Sequence, residues 1–493
     1  MDDTAVPPPL QTTAVDLSLT PVRDFSLWSA FALAFSDVSP IVGIYSVFAI
    51  GLAAAGPAFF WAFPIVLIGQ LLVTGVFGDL VSRWPFQGSV YAWSRELLGV
   101  RYGWFANWAY SWGLTITLAS VALAAAGFFA SAIGLTSLSA TQTSLLAVGI
   151  LALGSVANMI GHKFLHILFY VSMTAELIAS LGIGAAMLFF HRIHSFSILF
   201  SGAGTAHGAG WLTTPFLGVV GFTGFSFVGF ESAGSIAEEV KGSRRVLPKA
   251  IRLSLAAAGV LVMFAALGLV LAIPDLGAVM SGKDTNPIAT TLETHLGSAM
   301  GRTLLVMLTI GFTASMIAVQ AAVSRAIWAS ARAKELPLSG IFSKLAGPER
   351  LPRRVIAMTA IIAAALLFIH NPKAYTLLLS AATAGFFVSY AMPVVAAAYV
   401  RATGRWAPGP VAMGRLGAAI TGIAAVWIVL ETVNIAWPRN EYAGVWYLNW
   451  GIVIAAVVLG GVGFAAQTWI LRPGGEAETL GYSEPVVDET EST

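Results

Sequence analysis

Two long apolar stretches of this chain are each broken in the middle. The first, Trp28 to Ala54, is interrupted by Ser39-Pro40-Ile41-Val42-Gly43. The sixth, Pro215 to Ala237, is interrupted by Gly221-Phe222-Thr223-Gly224-Phe225-Ser226-Phe227-Val228-Gly229, with Glu231 two residues further on. Hydrocarbon offers no partner to a free backbone N–H or C=O, so irregular backbone at membrane depth survives only inside protein or beside a cavity. Interrupted helices at matching positions, five segments apart, point to the central binding site of a transporter built from inverted repeats.

The rest of the chain has the composition such a reading needs. Hydrophobic residues make up 57% of the 493 and charged residues 10%, against roughly 25% charged in a soluble domain. There is no cysteine, which excludes disulfides, thiol catalysis and cysteine–metal sites. Twelve apolar segments reach spanning length: about 27–54, 58–82, 102–132, 143–161, 164–190, 214–237, 248–273, 300–333, 353–370, 374–400, 414–435 and 447–471. The third and eighth are unusually long, which implies tilt, and they too are five apart. The expected class is an all-α polytopic membrane protein with twelve transmembrane helices.

Charge placement orients the segments. With the N-terminus inside, 21 of the 26 Lys and Arg residues fall on inner loops, tails and inner span ends, and only Arg192, Lys283, Arg302, Lys373 and Arg439 fall outside. The positive-inside rule then puts both termini in the cytoplasm. Residues 1–25 form a polar cytoplasmic tail that lacks the basic start of a secretory signal. Residues 26–471 form the transmembrane domain, and 472–493, with six acids and no base after Arg472, a disordered cytoplasmic tail. The aromatic-rich loop 83–101 is too short to span and reads as an interfacial or re-entrant piece at the inner face. Residues 274–299 read as an outer connection carrying a short surface helix near Pro287–His295.

Few residues carry chemistry. Glu231 falls near mid-membrane, where a charge is costly and functional by default; it either carries a proton or satisfies backbone freed by the break. Asp37, two residues before the first break, pairs with a substrate ammonium, with a basic residue at the inner gate, or serves as a structural charge partner. Glu176, the only acid of the fifth segment, is either a coupling residue or an interhelical hydrogen-bond partner. Phe225 and Phe227 flank the second break as a lid or wall, or as plain packing. Thr313 and Ser315 offer hydroxyls to Na⁺ or substrate, unless they bond back to their own helix.

Several motifs fail. Gly277 to Lys283 has phosphate-loop spacing, but Asp284 stands where a Ser or Thr would meet Mg²⁺. His162 and His166 are spaced for a metal without the Glu that zinc hydrolysis needs. No cofactor, metal or nucleic-acid partner and no enzymatic reaction is expected.

The chain resembles the amino acid–polyamine–organocation superfamily of secondary transporters, nearest to its amino acid/choline permease branch. The resemblance rests on the broken first segment followed by Ala55-Gly56-Pro57 and on Trp84-Pro85-Phe86-Gln87-Gly88-Ser89-Val90-Tyr91-Ala92-Trp93. It rests further on Gly224 to Ala233 running into Glu238-Glu239-Val240-Lys241 and Arg245-Val246-Leu247-Pro248-Lys249-Ala250-Ile251, and on Ser324-Arg325-Ala326-Ile327-Trp328-Ala329 through to Leu336-Pro337. It implies two inverted five-helix repeats (LeuT-like), about 27–190 and 214–400, with peripheral helices about 414–471. It also implies a substrate between the breaks, its carboxylate near the amides of Ile41, Val42 and Gly43 and its ammonium near carbonyls at Gly224, Phe225, Ser226 and Phe227, with Ser315 close by. The first break lacks the family's Gly-Ser-Gly, the fifth segment lacks its lysine, and Thr313 is followed by Ala314 rather than a second hydroxyl. The expected activity is transport of amino acids or related amines across the cell membrane by proton-coupled symport. Exchange, Na⁺ coupling and a non-transporting nutrient sensor on the same fold are the alternatives.

Overall fold

The computed structural model describes residues 24–135, 138–203, 209–284, 286–369, 374–411, 413–439 and 446–471. The expected N-terminal tail up to residue 23 and the acidic C-terminal tail lie outside the described residues, as do the side chains of His162 and His166.

The first helix begins where the sequence supplies a cap. The Ser29 amide donates to Ser26 Oγ (3.4 Å) and the Ser26 amide to Ser29 Oγ (2.7 Å). This reciprocal pair satisfies two free amide groups at the start of α1 (Leu27–Val38). Helix α1 stops at Ser39, because a proline disfavours helical backbone in the residue before it. Ser39 takes φ 43° and ψ 103°, a sparsely populated conformation that costs about 1–3 kcal/mol. Proline is well suited to the first position of a helix, and α2 (Pro40–Tyr45) starts at once, followed after Ser46 and Val47 by α3 (Phe48–Ala55). The break expected over Ser39 to Gly43 is therefore a sharp joint at Ser39, with Ile41, Val42 and Gly43 already helical.

The chain continues through α4 (Ala62–Arg83), α5 (Val90–Leu98), α6 (Val100–Ala132), α7 (Ala140–Ile160), α8 (His162–Ala185), α9 (Leu217–Thr223), α10 (Ser243–Ala272), α11 (Pro287–Arg332), α12 (Arg353–Leu366), α13 (Ala374–Ala402), α14 (Gly417–Ala436) and α15 (Gly451–Ile470). Ten helices among the described residues are long and apolar enough to cross a membrane. The two expected segments not among them are the sixth, cut short by its own break, and the ninth, whose α12 has 14 residues. No strand occurs among the described residues; there are two isolated bridges, Phe25 with Val240 and Ala346 with Leu351. The aromatic loop forms α5, which buries Tyr91, Ala92 and Trp93 and packs against α6 and α13. The expected short helix near Pro287 is the first part of α11, set off by a kink at Gly297 (φ 79°).

The broken elements sit at the centre. Helix α1 packs against α8, α10 and α11, while α6 lies along α11 and α13. The last helix, α15, lies at the edge and exposes Val457, Phe464 and Trp469, as expected of side chains whose solvent is lipid.

Candidate functional site

After α9 the chain tightens into a 3₁₀ turn, Gly224–Phe227, then runs extended through Val228 (φ −114°, ψ 169°). Gly229 follows with φ +97°, in the left-handed region that glycine enters without steric penalty. A side chain there would also collide: a methyl on Gly229 would stand 2.8 Å from Asp37 Oδ1 and 3.0 Å from the Asp37 carbonyl carbon. The two breaks also touch directly. Ser226 Oγ donates to the Gly43 carbonyl (2.6 Å), and a methyl on Gly43 would lie 3.1 Å from the Ser226 carbonyl oxygen. The resulting joint brings together Asp37, Gly43, Ser226 and Gly229, from positions almost two hundred residues apart.

A cavity of about 10 Å³, room for one water centre, lies at this joint and is bordered by Asp37, Val42, Phe225, Ser315 and Phe386 among others. Its walls are buried side chains, so the site is closed in this conformation. Asp37 is 6% exposed and its Oδ2 has no hydrogen-bond partner. Ser315 Oγ donates to the Asp37 carbonyl (3.3 Å), which ties α11 to the end of α1. Of the expected amide donors, Val42 N–H is taken by Ser39 Oγ (3.2 Å) and Gly43 N–H by the Ser39 carbonyl (2.8 Å); Ile41 N–H is the one not held by Ser39.

Glu231 is fully buried. Tyr110 of α6 donates to its Oε1 (2.7 Å) and Tyr390 of α13 to its Oε2. Tyr390 Oη in turn accepts from the Gly229 amide (2.9 Å), so the carboxylate, the break and two distant helices form one network. Glu176 is equally buried; its Oε1 accepts from Ser172 Oγ (3.0 Å) and its Oε2 has no partner. Neither acid nor Asp37 forms an ion pair among the described residues.

The remaining candidates separate clearly. Phe225 borders the cavity, whereas Phe227 packs edge-on against Phe63 with ring centres 6.2 Å apart. Thr313 is half-buried, and its hydroxyl is spent on the Thr309 carbonyl (2.7 Å). Gly224 lies against Phe387 and Thr383 of α13, where a methyl would meet the Phe387 ring at 2.3 Å. Sequence reasoning missed Tyr110, Tyr390 and Phe386. Their signal was a phenol or ring deep in an apolar segment, since a buried tyrosine hydroxyl usually finds a partner.

At the arginine-rich end, two ion pairs join α11 to the turn after the second break. Arg325 makes two bonds to Glu239 (2.6 and 3.1 Å), Arg332 two to Glu238 (2.8 and 2.7 Å), and Gln87 donates to Glu239 (2.7 Å). The amides of Asp24 and Phe25 donate to the Glu239 carbonyl, and that of Lys241 to the Phe25 carbonyl. The chain before α1 is thereby clipped to the turn after the second break. Beyond α11, Glu335 accepts from Arg95 (2.9 Å) and Tyr91 (2.8 Å); burial holds its carboxyl above the usual carboxylate range although Arg95 opposes the shift.

Comparison with known proteins gives consistent matches. A family described as amino acid permease matches residues 25–461. An amino-acid permease of Arabidopsis thaliana is 23% identical, over 92% of this chain and 93% of its own length. An uncharacterised amino-acid permease of Schizosaccharomyces pombe is 26% identical, over 88% and 81%. A choline transporter of Saccharomyces cerevisiae is 24% identical, over 94% and 84%.

Proposed function

The chain belongs to the amino acid permease family, and on that basis we propose that it is a secondary active transporter of amino acids or related amines, coupled to protons and working by alternating access. The family's transport activity, the membrane-spanning helices and the relatives named as permeases and a choline transporter support the class. The observation that carries the coupling is Glu231: a fully buried carboxylate, next to the second break, held by two tyrosine hydroxyls from α6 and α13 and paired with no base among the described residues. A proton is the smallest group that neutralises such a carboxylate, and its uptake and release through movement of the breaks would couple substrate flux to a pH gradient.

In this reading the core consists of two inverted five-helix repeats within a twelve-span chain, the first span built by α1 to α3 and the sixth by α9 and the turns that follow. Both termini face the cytoplasm, by the charge asymmetry of the loops. Uptake of labelled substrates by proteoliposomes tests the proposal. Accumulation driven by an inward proton gradient supports symport; accumulation that collapses when Na⁺ is replaced by K⁺ points to sodium coupling and back to Thr313. Flux that needs substrate on both sides marks an exchanger. Binding without any flux marks a sensor.

A further inference from the structure

We propose that Asp37 is the counter-ion for a substrate whose head at this site is an ammonium without a companion carboxylate, that is, an alkylamine or quaternary ammonium cation rather than a zwitterionic amino acid. The inference rests on the transporter reading of the same site and narrows its substrate class.

Three observations carry it. Asp37 is 6% exposed, borders the cavity between the breaks and leaves Oδ2 with no hydrogen-bond partner. A buried carboxylate oxygen without a partner is costly, and a cation of the substrate removes that cost. The remaining lining suits an alkylated cation. Val38, Val42, Val121, Val228 and Val319 supply apolar walls, and Phe225 and Phe386 add aromatic rings, a residue type that attracts ammonium groups. A bare metal cation wants a shell of oxygens, whereas among the side chains of this lining only Asp37, Thr117 and Ser315 carry oxygen.

The third observation concerns the other end of an amino acid. A carboxylate would need freed amides at the first break or a basic side chain. Ser39 already holds the amides of Val42 and Gly43, and neither Ile41, whose amide Ser39 does not hold, nor any Lys, Arg or His borders the cavity. The site therefore offers an anion to a cation and little to an anion.

The test compares amines with their carboxylated counterparts on the purified full-length chain: choline against glycine betaine, putrescine against ornithine, agmatine against arginine. Binding is read by calorimetry or ligand-induced melting shift. We expect the compound lacking the carboxylate to bind at least about tenfold tighter in each pair that binds, and Asp37→Asn to weaken it by about tenfold or more, the loss expected when a charged contact disappears. Equal or tighter binding of the carboxylated members overturns the proposal, as does no shift with any of the three cations. Because the paired comparison uses the natural chain, it stands even if Asp37→Asn folds poorly. If Na⁺ alone raises the melting temperature and Asp37→Asn abolishes that effect while amine binding persists, Asp37 is an ion ligand and the proposal falls. Proteoliposome uptake separates the two levels. Cations that bind without being accumulated refute the transporter reading and leave the recognition intact, whereas accumulated amino acids with excluded amines do the reverse.

Discussion

Phe225 borders the cavity beside Asp37, while Phe227, two residues on, meets the edge of Phe63. Phe225→Ala should raise the apparent KM for transport about tenfold, a loss of roughly 1.4 kcal/mol, with little change in melting temperature. Phe227→Ala should lower the melting temperature through lost packing and leave KM nearly unchanged; Phe189→Ala, on the exposed end of the fifth segment, is the control for both. Equal behaviour of the two inner mutants would refute the division. Glu231→Gln keeps the size of the side chain but cannot take up a proton. Gradient-driven accumulation should vanish while substrate binding and exchange persist, and survival of accumulation would reduce Glu231 to a structural bridge between Tyr110 and Tyr390. At this scale the sequence was informative where the signal was local. Ser39-Pro40 marked the joint, and Glu231 stood out as an acid inside an apolar segment. The tyrosines that hold Glu231 come from positions 121 and 159 residues away, and no local pattern records which distant side chain a hydroxyl will meet. The same limit hid the loss of two amide donors at the first break, since proline's preference for a first helical position becomes visible only once the helix has formed.

The turn Ala237–Glu239 after the second break fastens the arginine-rich end. Arg325 and Glu239 are 3% and 4% exposed at the side chain, and charged hydrogen bonds of this kind contribute about 1.5–3 kcal/mol each. Glu239→Gln should therefore loosen the end of the bundle without unfolding it. The chain contains no cysteine, so a single Ser235→Cys reports on access without background. Ser235 is buried and bonded to Ser89, and its replacement should react slowly with an impermeant thiol reagent. Adding Glu239→Gln should speed that reaction several-fold from the arginine-rich side, and an unchanged rate would show that the ion pair does not control access. The helices themselves were well marked in the sequence, because a long apolar run in a charge-poor chain has few alternatives. The aromatic loop is the exception: its helix α5 packs against α6 and α13, and its Tyr91 clusters with Trp328 of α11 and bonds to Glu335, partners that come later in the chain.

At the scale of the whole molecule, the proposed orientation rests on the charge asymmetry of the loops. A reporter fused at the C-terminus or within 238–247 should report the cytoplasm, and one within 274–299 the outside; reversal at any of these sites would overturn the asymmetry of 21 basic residues against five. The closed joint has a further, energetic consequence. With room for about one water centre, this conformation cannot hold substrate, so every binding event must first draw on the population of open molecules. If the closed form is favoured by about 2.8 kcal/mol, the measured dissociation constant is about a hundredfold weaker than that of the open site. Weakening the clasp at Glu239 should then make the protein bind its substrate more tightly while moving it more slowly. Affinity and turnover would shift in opposite directions, because the same closed state that holds affinity down keeps the two sides of the membrane from being joined.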